Sequence, residues 1–93
     1  MKVRYTVTAL EEIEHILSYV AKDNLSAALR VSATLLAAID RVADFPRSAA
    51  ETDVPGVRMV PVLPYRYLIF FSVIDDVLIV RNVRHSARQE WPI

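Results

Sequence analysis

Hydrophobic and polar residues alternate along the first seven positions of the chain. Val3, Tyr5 and Val7 are separated by polar side chains, and this period of two predicts a half-buried β-strand. Thr8 and Glu11 then have the spacing of a capping box, in which a hydroxyl and a carboxylate accept hydrogen bonds from free amides at a helix start. We therefore expect a strand that leads into a helix capped at Thr8.

Two segments with helical periodicity follow, and Asp23 and Asn24 separate them. Each segment has an apolar stripe at a spacing of three and four residues. The first stripe contains Leu10, Ile13, Ile16, Leu17 and Val20, and the second contains Ala28, Val31, Leu35, Ile39 and Val42. The separating pair can also cap the second helix, over residues 26–43, and Phe45–Pro46 ends it because the residue before proline disfavours the helical conformation. The pattern predicts an antiparallel helical hairpin.

The second half of the chain predicts three strands, over residues 57–62, 65–73 and 77–85. These segments are rich in β-branched and aromatic residues, and turn signals separate them. Pro61 lacks a backbone donor, so the first of these strands should lie at an edge or contain a bulge. We expect one α+β domain over residues 1–93 with the order β-α-α-β-β-β, an antiparallel sheet and the helical hairpin packed on one face.

The composition excludes several classes of site. The chain has no cysteine and two histidines, which are too few for disulfides or a usual metal centre, and one glycine, which excludes a glycine-rich phosphate loop. We therefore expect no metal and no cofactor. The longest apolar run, Tyr67–Ile74, is far shorter than the roughly 20 residues that span a bilayer. Because the amino terminus also lacks the apolar run of a signal peptide, we expect a cytoplasmic protein with no membrane partner.

Basic residues gather near the end of the chain although the formal net charge is zero. Zero net charge argues against strong non-specific binding of nucleic acid. Residues 57–88 nevertheless contain five basic residues and only two acidic residues, Asp75 and Asp76. The basic residues are Arg58, Arg66, Arg81, Arg84 and Arg88. Arginine holds phosphate or carboxylate in a fork of donors, and histidine exchanges a proton near neutral pH. With His85 among the arginines, this segment favours a phosphodiester-handling site or a docking site for an anionic partner; the alternative is a polar strand end that faces solvent.

Several short motifs occur in a fixed order along most of the chain. They are Ala9, Glu12–Ile13, Ile16, Tyr19–Val20, Asn24 and Ala27–Ala28, then Phe45–Pro46, then Arg58 and Pro64–Tyr67 before Phe70–Phe71, and finally Val80, Val83, His85 and Arg88. In order and spacing this set resembles the RelE/ParE toxins of bacterial type II toxin–antitoxin systems. The resemblance implies the β-α-α-β-β-β fold, and a cognate antitoxin that holds the toxin inactive.

The resemblance implies one of two cellular targets. ParE-like members of this family poison DNA gyrase, whereas RelE-like members are ribosome-dependent nucleases that cut mRNA. A nuclease needs a base, an acid and cations around the phosphorus. For a nuclease, the resemblance makes His85 the acid, with the cations drawn from Arg58, Arg66, Arg81 and Arg88. The base is not evident, because no lysine follows Lys22 and Glu51 and Asp53 are the substitutes.

The typical RelE pattern has lysines in the middle of the chain. We favour the ParE-like branch, because these lysines are missing here and the net charge is zero. This branch implies growth inhibition by poisoning of DNA gyrase. The candidate residues for contact with the target or the antitoxin are Arg58, Arg84, Arg88 and Trp91. The alternatives are a ribosome-dependent mRNA endonuclease and a non-toxic binding module of the same fold.

Structural roles remain open for three of the aromatic and imidazole side chains. In strict alternation His85 shares a face with Val77 and Ile79, so it can cap the core as a neutral, hydrogen-bonded ring. His15 lies away from the apolar stripe of the first helix and should be solvated. Tyr19 should pack on the sheet.

Structural roles are also open for the candidate binding residues. Arg58 can pair with Glu51 or Asp53 to order the loop before it. Arg66 can lie over apolar surface as an ion-pair partner. A tryptophan near a tail, here Trp91, folds onto a surface groove or marks a partner contact.

Overall fold

Two long helices and five strands make up the part of the chain that the computed structural model describes, residues 1–86. The elements are β1 (Lys2–Tyr5), α1 (Val7–Asp23), α2 (Leu25–Asp44), a short 3₁₀ helix (Pro46–Ser48), β2 (Ala50–Glu51), β3 (Arg58–Val62), β4 (Tyr67–Ile74) and β5 (Val77–His85). Neither α1 nor α2 combines the length and apolar character needed to cross a bilayer, and no other helix within residues 1–86 does so.

The strands form one mixed sheet with the order β1-β5-β4-β3-β2. Consecutive strands from β2 to β5 are antiparallel, which confirms the meander, and the α+β class with its helical hairpin is also confirmed. Two details of the prediction are wrong. β1 runs parallel to β5, because the helical hairpin returns the chain to the side at which β1 ends, and three further reversals between β2 and β5 give β5 the direction of β1. The two-residue β2 lies in a segment expected to be a loop, and its pairing with β3 places Pro61 on the part of β3 that β2 leaves uncovered.

The hydrophobic core lies between α2 and one face of the sheet. The predicted stripe of α2 is confirmed, since all of its members are at most 6% exposed. The opposing sheet residues, each at most 1% exposed, are Val62, Ile69, Phe71, Leu78, Val80 and Val83. Burial of one such side chain contributes about 1.5–3 kcal/mol, so this layer sets the position of β5 relative to the helices.

The stripe of α1 is confirmed only in part. Ile13, Ile16 and Leu17 are half-buried against the core, and Val20 is half-buried. Leu10 is 53% exposed, and Ala9 is fully buried instead. Tyr19 is 68% exposed, so the prediction that it packs on the sheet is wrong. Consecutive residues are about 100° apart around a helix, which places Tyr19 at the margin of the buried face rather than within it. His15 is exposed, as expected.

The cap of α1 lies two residues before the predicted capping box. The helix begins at Val7, and the Thr6 side chain accepts a hydrogen bond from the Ala9 backbone amide at 3.0 Å. Thr8 is therefore inside the first turn and is exposed. The predicted cap between the helices is confirmed, because the Asn24 side chain accepts from the Ala27 amide at 3.0 Å.

Candidate functional site at the end of the last strand

A β-bulge at Arg81 divides β5 into two parts. Val80 pairs with Phe71 and Asn82 pairs with Phe70, so Arg81 is the extra residue. Thr6 fixes this bulge from the other side: its backbone amide donates to the Val80 carbonyl at 3.0 Å, and its hydroxyl donates to the Arg81 carbonyl at 2.8 Å. One side chain therefore caps α1 and holds the bulge.

The bulge decides which face of the sheet His85 occupies. Residues paired across neighbouring strands share a face, and His85 pairs with Tyr67, which packs against the core. The extra residue Arg81 shifts the alternation by one position. The prediction that His85 shares a face with Val77 and Ile79 is therefore wrong, and the imidazole lies on the helix-covered face.

Glu12 of α1 holds the part of β5 beyond the bulge. Its Oε1 accepts hydrogen bonds from the Val83 backbone amide at 2.9 Å and from the Asn82 side-chain amide at 3.4 Å. Its Oε2 lies 2.7 Å from Arg84 Nε in an ion pair. Because β1 ends opposite Val80, the carboxylate supplies the acceptor that a longer β1 would have provided.

A cleft between α1 and the end of β5 contains both histidines of the chain. This cleft has a volume of about 210 Å³ and is lined by Thr8, Glu11, Glu12, His15, Ile16, Val83, Arg84 and His85. An adjoining cleft of about 330 Å³ is lined by His15, Ile16, Tyr19, Val20, Tyr67 and His85. The first cleft therefore brings two imidazoles together with two carboxylates and one guanidinium.

Tyr67 extends the wall of the second cleft from His85. The ring of Tyr67 meets His85 edge to face, with centroids 5.6 Å apart and planes at 88°. Tyr65 lies 6.4 Å from Tyr67 at 38°. Burial, with a smaller contribution from Tyr65, raises the pKa of Tyr67 above its usual value of 10.0. At neutral pH Tyr67 is therefore an uncharged aromatic surface beside His85.

Comparison with known proteins identifies the family. The family model described as the ParE toxin of the type II toxin–antitoxin system parDE matches residues 3–90. The chain belongs to the ParE toxin family. Among curated proteins, this ParE-family chain is 33% identical over 91 residues to the Sinorhizobium fredii protein named "Putative toxin Y4kP", covering 98% of this chain and 93% of that protein.

Solved structures share the fold of this ParE-family toxin. A chain of the chromosomal ParDE toxin–antitoxin system from P. aeruginosa matches with a TM-score of 0.79 at 18% identity, over 91% of this chain and 95% of that chain. The isolated E. coli RelE toxin matches with a TM-score of 0.62 at 19% identity, over 96% and 87%. The E. coli RelBE toxin–antitoxin complex matches with a TM-score of 0.61 at 18% identity, over 94% and 98%.

Three of the arginines predicted for the site of this ParE-family toxin, Arg58, Arg66 and Arg81, line neither of the two clefts that contain His85. Arg58 Nη1 donates to the Ala49 carbonyl at 2.7 Å, so Arg58 orders the loop before β2 through the backbone. Within residues 1–86 no ion pair joins Arg58 to Glu51 or Asp53, and that prediction is wrong.

Arg66 and Arg81 lie at different places around the end of the sheet. The Arg66 side chain is exposed, and its backbone carbonyl accepts a 2.6 Å hydrogen bond from the Ser86 amide, next to His85. Arg81 is half-buried, and its Nε is buried without a hydrogen-bond partner among residues 1–86. Of the predicted arginines in the described part of the chain, Arg84 lines the cleft with His85.

Glu12 is the site residue that sequence reasoning missed in this role. It stood in the motif that resembles the toxin family, but its contacts with residues 82–84 join positions about 70 apart in the chain. Arg88 and Trp91, predicted for target or partner contact, lie outside the described residues. Within residues 1–86 no group of three or more histidine, aspartate or glutamate side chains can hold a metal ion.

Proposed function

We propose that this ParE-family protein inhibits bacterial growth by poisoning DNA gyrase through protein contact, without catalysing a reaction itself. The ion pair between Glu12 and Arg84 supports this proposal most directly. Arg84 lies in the cleft of His85, and its charge is taken up by a carboxylate 2.7 Å away. A phosphodiester placed at His85 would therefore meet carboxylates where a nuclease presents free cations.

The distribution of the other arginines supports the same proposal. Arg58 is bonded to a backbone carbonyl in the loop before β2, and Arg81 follows Val80 on the far side of the sheet from His85. Among the described arginines, Arg66 remains exposed beside His85. Stabilisation of a charged phosphorus centre needs several donors preorganised around one point, and this arrangement disperses them.

The proposed partner that neutralises the toxin is a cognate antitoxin. The ParE family model is described as part of a type II toxin–antitoxin system, and the matching structures come from a ParDE system and a RelBE complex. An antitoxin segment with an apolar face fits the exposed leucine side chains of α2. These are Leu25, 67% exposed, Leu29, 66% exposed, and Leu36, 53% exposed. These residues lie within about 40° of one another around the helix.

A second candidate function is a ribosome-dependent mRNA endonuclease. The observation that favours it is the presence of both His15 and His85 around one cleft, because two imidazoles can act as base and acid. Tyr67 against His85 also provides an aromatic surface on which a base can stack.

One experiment separates the two functions. The toxin is expressed without antitoxin, and plasmid supercoiling and transcript integrity are measured in the same cells. The proposal predicts cleaved or relaxed DNA with intact mRNA; mRNA cut within translated codons and unchanged supercoiling would refute it. A second assay mixes purified toxin, gyrase and supercoiled plasmid, and linear DNA should accumulate only when toxin and gyrase are both present.

Paired histidine variants test the second candidate within the same design. His15→Ala and His85→Ala each remove one imidazole from the shared cleft. A nuclease using both rings loses mRNA cleavage in either variant. Under the proposed function, His15→Ala keeps its effect on supercoiling, because that function requires no proton transfer by the His15 imidazole.

A further inference from the structure

Three cations form a row on the face of the sheet that the helices leave open. In β1, Val3 and Tyr5 pack against the core, so the alternating residues Lys2 and Arg4 point to the opposite face. Both are exposed. Arg81 of β5 follows Val80, a core residue, and therefore lies on the open face as well.

These three cations are not neutralised within the described part of the chain. The ion pair found within residues 1–86 joins Arg84 to Glu12, so no carboxylate of that part lies within 4.0 Å of the charged atoms of Lys2, Arg4 or Arg81. The buried Nε of Arg81 has no hydrogen-bond partner there. β1 and β5 contain no aspartate or glutamate; the neighbouring acidic residues, Asp75 and Asp76, lie in the turn before β5, at the Lys2 end of the row.

The strand register sets the spacing of the row. Arg4 is level with Ile79, two residues before Arg81, and parallel strands rise about 3.3 Å per residue. Lys2, Arg4 and Arg81 are therefore about 6.6 Å apart along the strand direction, and the row is about 13 Å long with one step of about 4.8 Å to the neighbouring strand. One strand of duplex DNA places a phosphate every 3.4 Å or so along the helix axis, so the row spans about four phosphates.

We propose that Lys2, Arg4 and Arg81 bind the phosphate backbone of duplex DNA without sequence preference. Three cations that have no ion-pair partner among residues 1–86 match a row of phosphates. The contacts are ionic, because lysine and arginine side chains pair with phosphate oxygens whatever the base sequence is. The inference that the protein binds DNA does not depend on the proposed function. The suggestion that this DNA is held by gyrase while the toxin engages the enzyme rests on the proposed function.

The salt dependence of DNA binding tests this inference quantitatively. Purified full-length toxin, free of antitoxin, is titrated into a fluorescent 20-base-pair duplex of arbitrary sequence, and anisotropy is read at several salt concentrations. Three phosphate contacts predict a slope of about −2.7 for log K against log salt concentration, which is about a 40-fold loss of affinity from 50 to 200 mM salt. A duplex of different sequence should give the same slope.

Replacing one cation at a time by glutamine tests whether the residues of the row make the phosphate contacts. Lys2→Gln, Arg4→Gln and Arg81→Gln should each reduce the slope to about −1.8. The matched control is Arg47→Gln, which removes one exposed charge just before β2, at the opposite edge of the sheet, and should leave the slope at the wild-type value. Thermal unfolding of each variant confirms that Arg81→Gln still folds, and the two β1 variants carry the test if it does not.

Four outcomes decide between this inference and its alternatives. A slope that no substitution in the row changes would overturn it, as would tighter binding to polyglutamate than to DNA of equal charge, which would assign the row to an acidic protein segment. If DNA binding fails while linear DNA accumulates with gyrase, the inference falls and the proposed function stands. If the row variants lose DNA binding and the wild type has no effect on gyrase, the inference stands and the proposed function falls.

Discussion

Replacement of Glu12 by alanine should destabilise the fold by about 3 kcal/mol. The carboxylate is the acceptor for the Val83 backbone amide, and Val83 is 1% exposed. After truncation water cannot easily replace that acceptor. Arg84 would also lose its ionic partner at 2.7 Å.

The magnitude follows from these two contacts. A buried amide left without an acceptor costs about 1–3 kcal/mol. The side chains of Glu12 and Arg84 are 18% and 24% exposed, so their ion pair lies between the surface and buried cases and contributes about 1 kcal/mol. For a chain of 93 residues, a total of about 3 kcal/mol lowers the unfolding midpoint by about 15 °C.

Two further variants separate the contributions of the amide and the charge. Glu12→Gln keeps a side-chain oxygen for the Val83 amide and removes the ion pair, so it should cost about 1 kcal/mol. Glu11→Ala truncates the exposed neighbouring glutamate and should stay within about 0.5 kcal/mol of wild type. Urea denaturation monitored by circular dichroism gives all three differences, provided that the slope with urea is unchanged.

Two results would refute this reasoning. If Glu12→Ala stays within about 1 kcal/mol of Glu11→Ala, the end of β5 does not depend on the carboxylate. If Glu12→Gln is as costly as Glu12→Ala, the stabilisation comes from the charge and not from the acceptor of the Val83 amide.

Three further predictions concern the cap, alkaline stability and toxicity. Thr6→Ala should cost about 2 kcal/mol in urea denaturation because it removes the helix cap and the bond to the bulge, whereas Thr8→Ala should be nearly neutral; equal costs would refute this. Burial, with a smaller contribution from Asp40, raises the pKa of Tyr5 above 10.0, so stability present below pH 10 should be lost as the pH rises through the raised pKa. Tyr5→Phe should lessen the loss from about pH 9 to about pH 11, and an unchanged loss would contradict the assignment. His85→Ala should reduce growth inhibition on induction. If the variant is as toxic as the wild type at normal expression, the role of His85 is only to cap the core.

Local pattern predicts the elements of this fold well where each element carries its own signal. β5 has the bounds expected for it, because a dense β-branched segment begins after the Asp75–Asp76 turn. The stripe of α2 is buried as its periodicity requires. β2 could not be foreseen, because two residues of low strand propensity become a strand only by pairing with β3.

The candidate site is less predictable because long-range contacts determine it. The bulge at Arg81 is fixed by Thr6, 75 positions away, and Glu12 reaches Val83 across 71 positions. Neither contact leaves a periodic trace in the local sequence, so strict alternation grouped His85 with Val77 and Ile79, from which the bulge separates it. The sequence indicated one strand end as the candidate site, but not which of its side chains would meet.

The parallel pairing of β1 with β5 also has a consequence for biosynthesis. Lys2 pairs with Val77, so β1 has no partner until the ribosome has released residues 77–80, whereas the helical hairpin and the β3–β4 pair can form earlier from neighbouring segments. Closing so long a loop is entropically costly and slow compared with local pairing. The Glu12 contacts and the histidine cleft therefore assemble in the last stage of folding, and incomplete chains that end before β5 should be harmless to the cell that makes them.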